Sequence, residues 1–188
     1  MAKVFLLDGP AGSGKSTLTP RLLNHFGERL RHCQRVTTRP MRSDDKNYVF
    51  IDQIEFGQYH SEGELAAYRT FAGGYSYGVR RQPVEDFLAQ GYHVYSLLDL
   101  GTAEMARQVW PDCVTIFLMA PLEILKKRLV EKGVHTPEQI EERIKNAELA
   151  FAQAPYYDYV VPNRQGKLDK AARHLISILD REMREEIT

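Results

Sequence analysis

Cysteine is scarce in this chain of 188 residues, and its two cysteines, Cys33 and Cys113, lie far apart with no C-x-x-C or metal-ligand spacing. That suits two reduced thiols in a cytosolic protein better than a disulfide framework. Net charge is absent too: 25 Lys and Arg balance 25 Asp and Glu, so no overall field draws the molecule to nucleic acid or an anionic membrane, and any basic site must be local. No apolar run approaches membrane-spanning length, and no basic segment followed by an apolar core opens the chain, so a cytoplasmic protein is expected. There is no internal repeat and no low-complexity tract. With 43% hydrophobic residues, the chain has enough apolar material for one well-buried globular domain.

The most informative stretch is Gly9-Pro10-Ala11-Gly12-Ser13-Gly14-Lys15-Ser16-Thr17, which meets the G-x-x-x-x-G-K-[ST] phosphate-loop pattern. A strand-type run, Val4-Phe5-Leu6-Leu7, precedes it, and Leu18, Leu22, Leu23 and Phe26 follow at helical spacing. Gly9, Ala11, Gly12, Ser13 and Gly14 would turn backbone N–H groups toward a polyphosphate at the positive end of the helix. Lys15 would reach the terminal phosphates, Ser16 would ligate Mg²⁺, and Thr17 completes the turn. The plain alternative, a chance glycine-rich turn, does not account for the flanking strand and helix.

Further along, Cys33 to Thr38 reads as a short strand, Ser43 to Asn47 as a polar turn and Tyr48 to Ile51 as β-prone. Asp52 suits the cap of a short helical turn carrying Ile54 and Phe56, Leu65 to Phe71 a strand, and Gly73 to Gly78 a turn. Val84, Phe87 and Leu88 mark a helix that Gly91 can end, then Tyr92 to Leu98 a buried strand terminating in Asp99. A helix follows from about Thr102 to Val109, then a strand over Val114 to Met119 and a helix carrying Leu122, Leu125 and Leu129 that stops near Gly133. Thr136-Pro137-Glu138-Gln139 opens a long helix to about Ala152, and the chain closes with a strand over Asp158 to Val161 and a helix from Leu168 to Glu185. This alternation predicts an α/β fold, a parallel sheet covered by helices on both faces, interrupted by an inserted segment over about residues 34–78.

A phosphate loop alone does not separate ATPase, GTPase and kinase. No N-K-x-D element is present to read guanine, and Asp99-Leu100-Gly101-Thr102 is not D-x-x-G, so a GTPase is not expected. Arg39 and Arg42, three positions apart on a segment that Pro40 keeps extended, suit a clamp on one phosphoryl group, with Arg35 four residues earlier. A solvated basic loop is the alternative.

At this point the chain resembles the guanylate kinase family over nearly its full length. The resemblance is carried by the phosphate loop, by Thr37-Thr38-Arg39-Pro40-Met41-Arg42 followed by Tyr48-Val49-Phe50, by Tyr77-Gly78 and by the strand ending at Asp99. Leu125-Lys126-Lys127-Arg128-Leu129 and Glu141-Glu142-Arg143 complete it, in the family's order and spacing apart from a deletion before Tyr48 and a one-residue insertion near Gly74. It implies a single nucleoside-monophosphate-kinase-like domain with core 1–33, 79–125 and 154–188, an acceptor-binding insertion about 34–78 and a helical lid about 126–150. It also implies ATP and Mg²⁺ as cofactors, a small phosphorylated acceptor as partner, no nucleic acid and no membrane, and a monomer or homodimer. Arg39, Arg42, Tyr48 and Tyr77 would hold the acceptor's phosphate, while Arg128, Arg143 and Lys132 would come from the lid, Lys132 standing where the family has an arginine. Asp99 would support the Mg²⁺ shell or the acceptor, unless it caps the next helix, and Asn163 would lie near the adenine, unless it is a turn asparagine.

Three positions depart from the family. Its guanine-reading serine, glutamate and serine are replaced by Arg35, Ala67 and Val79, which argues against GMP unless Glu62 or Glu64 reaches in from a shifted register. Tyr77-Gly78-Val79 also resembles the ribose 1,5-bisphosphate phosphokinase branch, and Arg35 and Arg69 would suit an acceptor with more than one anionic group. The rival from another class is a non-catalytic guanylate-kinase-like module that binds a phospholigand; its usual mark, a decayed phosphate loop, is not seen at Lys15 and Ser16.

Overall fold

The computed structural model describes residues 1–41, 48–71 and 73–184, so Arg42 and the turn expected over Ser43–Asn47 lie outside the described residues. The chain forms two compact units, Met1–Leu6 with Gly27–Val114, and Leu7–Phe26 with the chain from Thr115 onward. The division runs through the first strand, β1 (Val4–Asp8), every residue of which is buried. Both units contribute to an α/β fold built on a parallel sheet with helices.

In the first unit, β2 (Leu30–His32) pairs in parallel with β7 (His93–Leu97), and the strand order is β2-β7-β1. A second sheet has the order β4-β3-β6-β5, from β3 (Arg35–Thr37), β4 (Tyr48–Phe50), β5 (Leu65–Thr70) and β6 (Ser76–Arg80). Its register sets Arg35 beside Tyr48, Thr37 beside Tyr77 and Ala67 beside Val79. Val36, Phe56 and Leu65 form its core, with Ile51, Tyr59 and Tyr68 packed around them. Phe56 comes from α2 (Gln53–Ser61), capped as expected by Asp52, whose side chain accepts from the Glu55 N–H at 2.8 Å. Helices α3 (Arg81–Ala89) and α4 (Ala103–Val109) flank β7 in the chain.

In the second unit, α1 (Lys15–Phe26) buries Leu18, Leu22 and Phe26, a stripe at four-residue spacing, and packs against α7 (Leu168–Arg184). β8 (Val114–Met119) pairs in parallel with β9 (Tyr159–Pro162), in the order β1-β8-β9. α5 (Leu122–Glu131) and α6 (Pro137–Phe151) pack together around Ala120, Leu125 and Ala147. The expected signal at Thr136 is a complete capping box: its hydroxyl accepts from the Gln139 N–H while the Gln139 side chain accepts from the Thr136 N–H.

Three readings change. Leu30–His32, a charged three-residue stretch with no apolar run to announce it, is a strand because it pairs along β7. Tyr77-Gly78 lies within β6 rather than in a turn; a Cβ at Gly78 would come within 3.0 Å of Leu65 Cδ2 and 3.4 Å of Tyr68 Cβ, so the glycine admits close packing on β5. The turn after Asp52 extends to a nine-residue helix.

Candidate functional site

In the second unit the backbone leaves β1 at Asp8 and turns through Gly9 to Gly14 before α1 starts. Gly9 and Gly14 have φ of 144° and 106°, which L side chains rarely adopt. Space forbids side chains as well, since a Cβ on Gly9 would strike the Leu118 carbonyl oxygen and one on Gly14 would lie 2.5 Å from Asn163 Nδ2. Lys15 Nζ donates to the Gly9 carbonyl and, at 3.4 Å, to that of Pro10, so the cation is folded over the loop. Ser16 and Thr17 are on the first helical turn, and Ala11 is half-buried in the loop. Pro20, inside α1, has no N–H to give to the Ser16 carbonyl.

Side chains distant in sequence hold this loop. Arg128 on α5 donates to the carbonyls of Gly12 at 3.0 Å, Ser13 at 3.4 Å and Asn163 at 3.3 Å. Burial lowers the Arg128 pKa below that of a free guanidinium, with Glu131 opposing the shift. Asn163 follows β9 and is buried; its N–H donates to Met119 at 2.7 Å and its Nδ2 to the Ser13 carbonyl at 2.7 Å. It is therefore no simple turn asparagine. Sequence reasoning misses Asp8, which is fully buried and accepts from the Gly9 N–H at 2.6 Å and from the Tyr157 hydroxyl. Tyr157 packs on Phe117, ring centroids 5.1 Å apart, as a packing role requires, while its hydroxyl reaches the start of the loop. The one sequence signal for Asp8 is an acid that ends an all-apolar strand directly before the loop.

In the first unit a second charged cluster lies on the β4-β3-β6-β5 sheet. Arg35 is 3% exposed; its Nη1 stands 2.6 Å from Asp99 Oδ1, its Nη2 donates to the Tyr48 hydroxyl at 2.6 Å, and its guanidinium lies 4.8 Å from the Tyr48 ring centre. Arg39 stacks on the same ring at 4.8 Å and on Phe50 at 5.4 Å, and donates to the Pro40 carbonyl. Tyr48 meets Tyr77 edge-on at 5.9 Å, and Tyr77 meets Phe71 at 5.4 Å. Burial raises the Tyr77 pKa, against the opposing effect of Arg39. Arg69 stacks over Phe71 at 5.0 Å and donates to the Leu100 carbonyl at 2.6 Å. Guanidinium groups stacked on aromatic faces are held in fixed planes, an arrangement suited to binding an oxyanion.

The structure thus brings Arg35, Arg39, Tyr48, Tyr77 and Asp99 into one cluster, and Lys15, Arg128, Asn163 and the glycine loop into another. Asp99 does not cap α4; Thr102 occupies that position, and Thr102 Oγ1 donates to the Asp99 carbonyl at 2.8 Å. Arg143 is half-buried on α6, and Lys132 is exposed at the end of α5. Glu64 pairs with Arg80 at 3.3 Å and Glu62 ends α2, while Ala67 and Val79 are 2% and 1% exposed, so neither glutamate stands in the positions those residues hold. Among the described residues no group of three or more His, Cys, Asp or Glu side chains forms a metal cage, and no helix is long and apolar enough to cross a membrane.

Residues 1–182 match the family model described as guanylate kinase. The chain is 34% identical to a guanylate kinase of Thermus thermophilus over 97% of its own length and 82% of the relative's. It is 36% identical to a guanylate kinase of Thermobifida fusca, covering 86% of this chain and 83% of that one. Among solved structures it resembles guanylate kinase from Anaplasma phagocytophilum, with a TM-score of 0.75 and 27% identity over 96% of this chain and 86% of that one. Shikimate kinase from Acinetobacter baumannii shares the fold at a TM-score of 0.53 and 14% identity, covering 100% of this chain and 97% of that one.

Proposed function

The chain belongs to the guanylate kinase family, and from that premise we propose that it is an ATP-dependent kinase of the nucleoside-monophosphate type that moves the γ-phosphoryl group onto a small acceptor already carrying phosphate. The observation that carries this reading is the pairing of two built anion sites in one chain, a glycine loop closed by Lys15 and an arginine–tyrosine cluster around Tyr48.

The loop fits a nucleotide polyphosphate: its glycines have backbone directions and clearances that a Cβ would destroy, and the buried Ser13 Oγ and Asn163 Oδ1 have no hydrogen-bond partner, which leaves polar capacity beside it. Gly9, Ala11, Gly12, Ser13 and Gly14 cradle the phosphates, with Ser16 and Thr17 opening the helix, and Asn163 supports the loop from β9. Ser16 would hold Mg²⁺, which would supply charge neutralisation at the phosphates when bound, while Asp99, engaged by Arg35, takes the other role open to it, on the acceptor side. Lys15 exchanges its contacts with the Gly9 and Pro10 carbonyls for phosphate oxygens. Arg39, with Arg42, Tyr48 and Tyr77, grips the acceptor's phosphate, and Arg35 stands behind them. Residues of about 126–150 act as a lid whose Arg128 and Arg143 neutralise the transferring group and exclude water, with Lys132 as a third cation. Arg128 already faces the loop backbone, which supports that role. Positioning and electrostatics suffice; no side chain has to act as general base. The protein works in the cytoplasm as a monomer or homodimer.

An ATP-consumption assay across GMP, dGMP, other nucleoside monophosphates and sugar bisphosphates tests this. Transfer to at least one is expected, reduced by about 100-fold or more in Lys15→Ala. Undiminished transfer in Lys15→Ala refutes the mechanism, and ATP binding without transfer to any acceptor supports the binding-module rival.

A further inference from the structure

We propose that Arg35 is a positioning residue that sets acceptor choice: by pairing with Asp99 it withdraws the carboxylate a guanine edge needs, and so favours small phosphorylated acceptors recognised without base N–H donors. This rests on the acceptor role proposed for the Tyr48 cluster, and deepens it.

β3 places Arg35, Val36 and Thr37 all in the interior, so a long cationic side chain is forced inward where a neutral one is the ordinary choice. The charge is met on two sides, by Asp99 Oδ1 at 2.6 Å and the Tyr48 hydroxyl at 2.6 Å. Asp99 remains the more accessible partner, 17% exposed against 3%. Three other acids on this part of the chain are committed: Asp52 to the cap of α2, Glu55 to the Tyr59 hydroxyl, Glu64 to Arg80. Guanine presents N–H donors along its Watson–Crick edge, and a carboxylate free of a buried counter-charge is their strongest acceptor. A carboxylate neutralised by a guanidinium gives up most of that charge assistance. The apolar wall of Ala67 and Val79, paired across β5 and β6 and both buried, adds no acceptor. Acceptors with no base, whose only strong demand is for the arginines and tyrosines, lose nothing by this arrangement. A merely structural ion pair would affect all acceptors alike, whereas this one separates them.

The test compares kcat/KM for GMP and for ribose 1,5-bisphosphate in the wild type, Arg35→Ser, Arg35→Lys and Arg35→Ser with Asp99→Asn, with thermal unfolding followed for each. Arg35→Ser is expected to raise the GMP-to-sugar ratio at least about tenfold, equivalent to about 1.4 kcal/mol of discrimination. Adding Asp99→Asn removes that gain, and Arg35→Lys stays near the wild-type ratio because it keeps the charge. Loss of the Arg35 contact to Tyr48 raises KM for both acceptors and cancels in the ratio. An unchanged ratio in Arg35→Ser, or a gain that survives Asp99→Asn, overturns the inference while leaving the kinase reading intact. Absence of transfer from the wild type to every acceptor removes the kinase reading itself. If Arg35→Ser does not fold, Arg35→Gln, which is neutral but retains hydrogen-bonding groups, carries the same comparison.

Discussion

Removing only the hydroxyl of Tyr157 tests whether the start of the phosphate loop is held by a buried carboxyl group. Tyr157→Phe keeps the ring, and hence its contact with Phe117 at 5.1 Å, so packing is conserved and the hydrogen bond to Asp8 Oδ2 is what goes. Asp8 is fully buried and its other oxygen is occupied by the Gly9 N–H at 2.6 Å, so water offers no ready replacement for the lost donor. Leaving a buried acceptor without its donor costs about 1–3 kcal/mol. For a chain of this size each kcal/mol shifts the melting temperature by roughly 2–4 °C, so the variant should melt about 2–12 °C lower. Differential scanning calorimetry at neutral pH reads this directly. ATP affinity should fall only modestly, by less than about tenfold, because the Gly9 contact to Asp8 remains. A melting temperature within about 1 °C of wild type would show that the bond adds nothing and refute the anchoring role given to Asp8.

Gly9→Ala forces a Cβ onto the Leu118 carbonyl at a φ of 144°, and should cost at least about 1–3 kcal/mol in urea unfolding as well as most ATP binding; unchanged unfolding would show that the loop accommodates the methyl group. Arg39→Ala should raise KM for the acceptor about tenfold or more, about 1.4 kcal/mol, while leaving the Kd for ATP nearly unchanged; equal losses in both would argue against an acceptor clamp. His32 has a pKa lowered to about 4, by burial first and then by the nearby Arg35 charge. Its folded-state pKa lies below the unfolded value near 6.5, so the unfolded chain binds a proton that the folded one refuses. The stability is therefore present above pH 6.5, is lost as pH falls toward 4 and levels off below it, amounting to up to about 3 kcal/mol. His32→Gln should flatten that part of the pH–stability curve, and an equally steep fall in the variant would clear His32 of the effect.

How far residues announce their own structure depends on where their partners lie. β8 has the bounds expected from its run of apolar residues, and the Thr136 capping box is present as read, because both signals are complete within a few neighbouring positions. The phosphate loop is legible for the same reason: strand, glycines and helix are consecutive. β2 is not, since Leu30–His32 owes its conformation to Tyr95, Val94 and His93 on another strand rather than to its own composition. Gly78 reads locally as part of a turn because a glycine between a tyrosine and a valine says nothing about the Leu65 side chain that fills its missing Cβ.

The same distinction orders the chemistry. The roles proposed for Lys15 and Ser16 rest on an eight-residue pattern, whereas Asp8 acquires its importance from a hydroxyl 149 residues away. Arg35 stands out in the sequence as a departure from the family, but its neutralisation by Asp99 appears only when the chain beyond β7 returns beside β3, and that pairing changes what the substitution means. Alone, an extra arginine suggests more affinity for anions; with its partner, it removes a negative charge from the face that would meet a base. Since a buried ion pair broken on one side leaves the other charge uncompensated, freeing Asp99 for a base by removing Arg35 costs stability. Arg35→Ser should therefore gain its guanine preference while melting below the wild type, and a guanine-selective Arg35→Ser that melts with the wild type would show that the pair contributes nothing to stability.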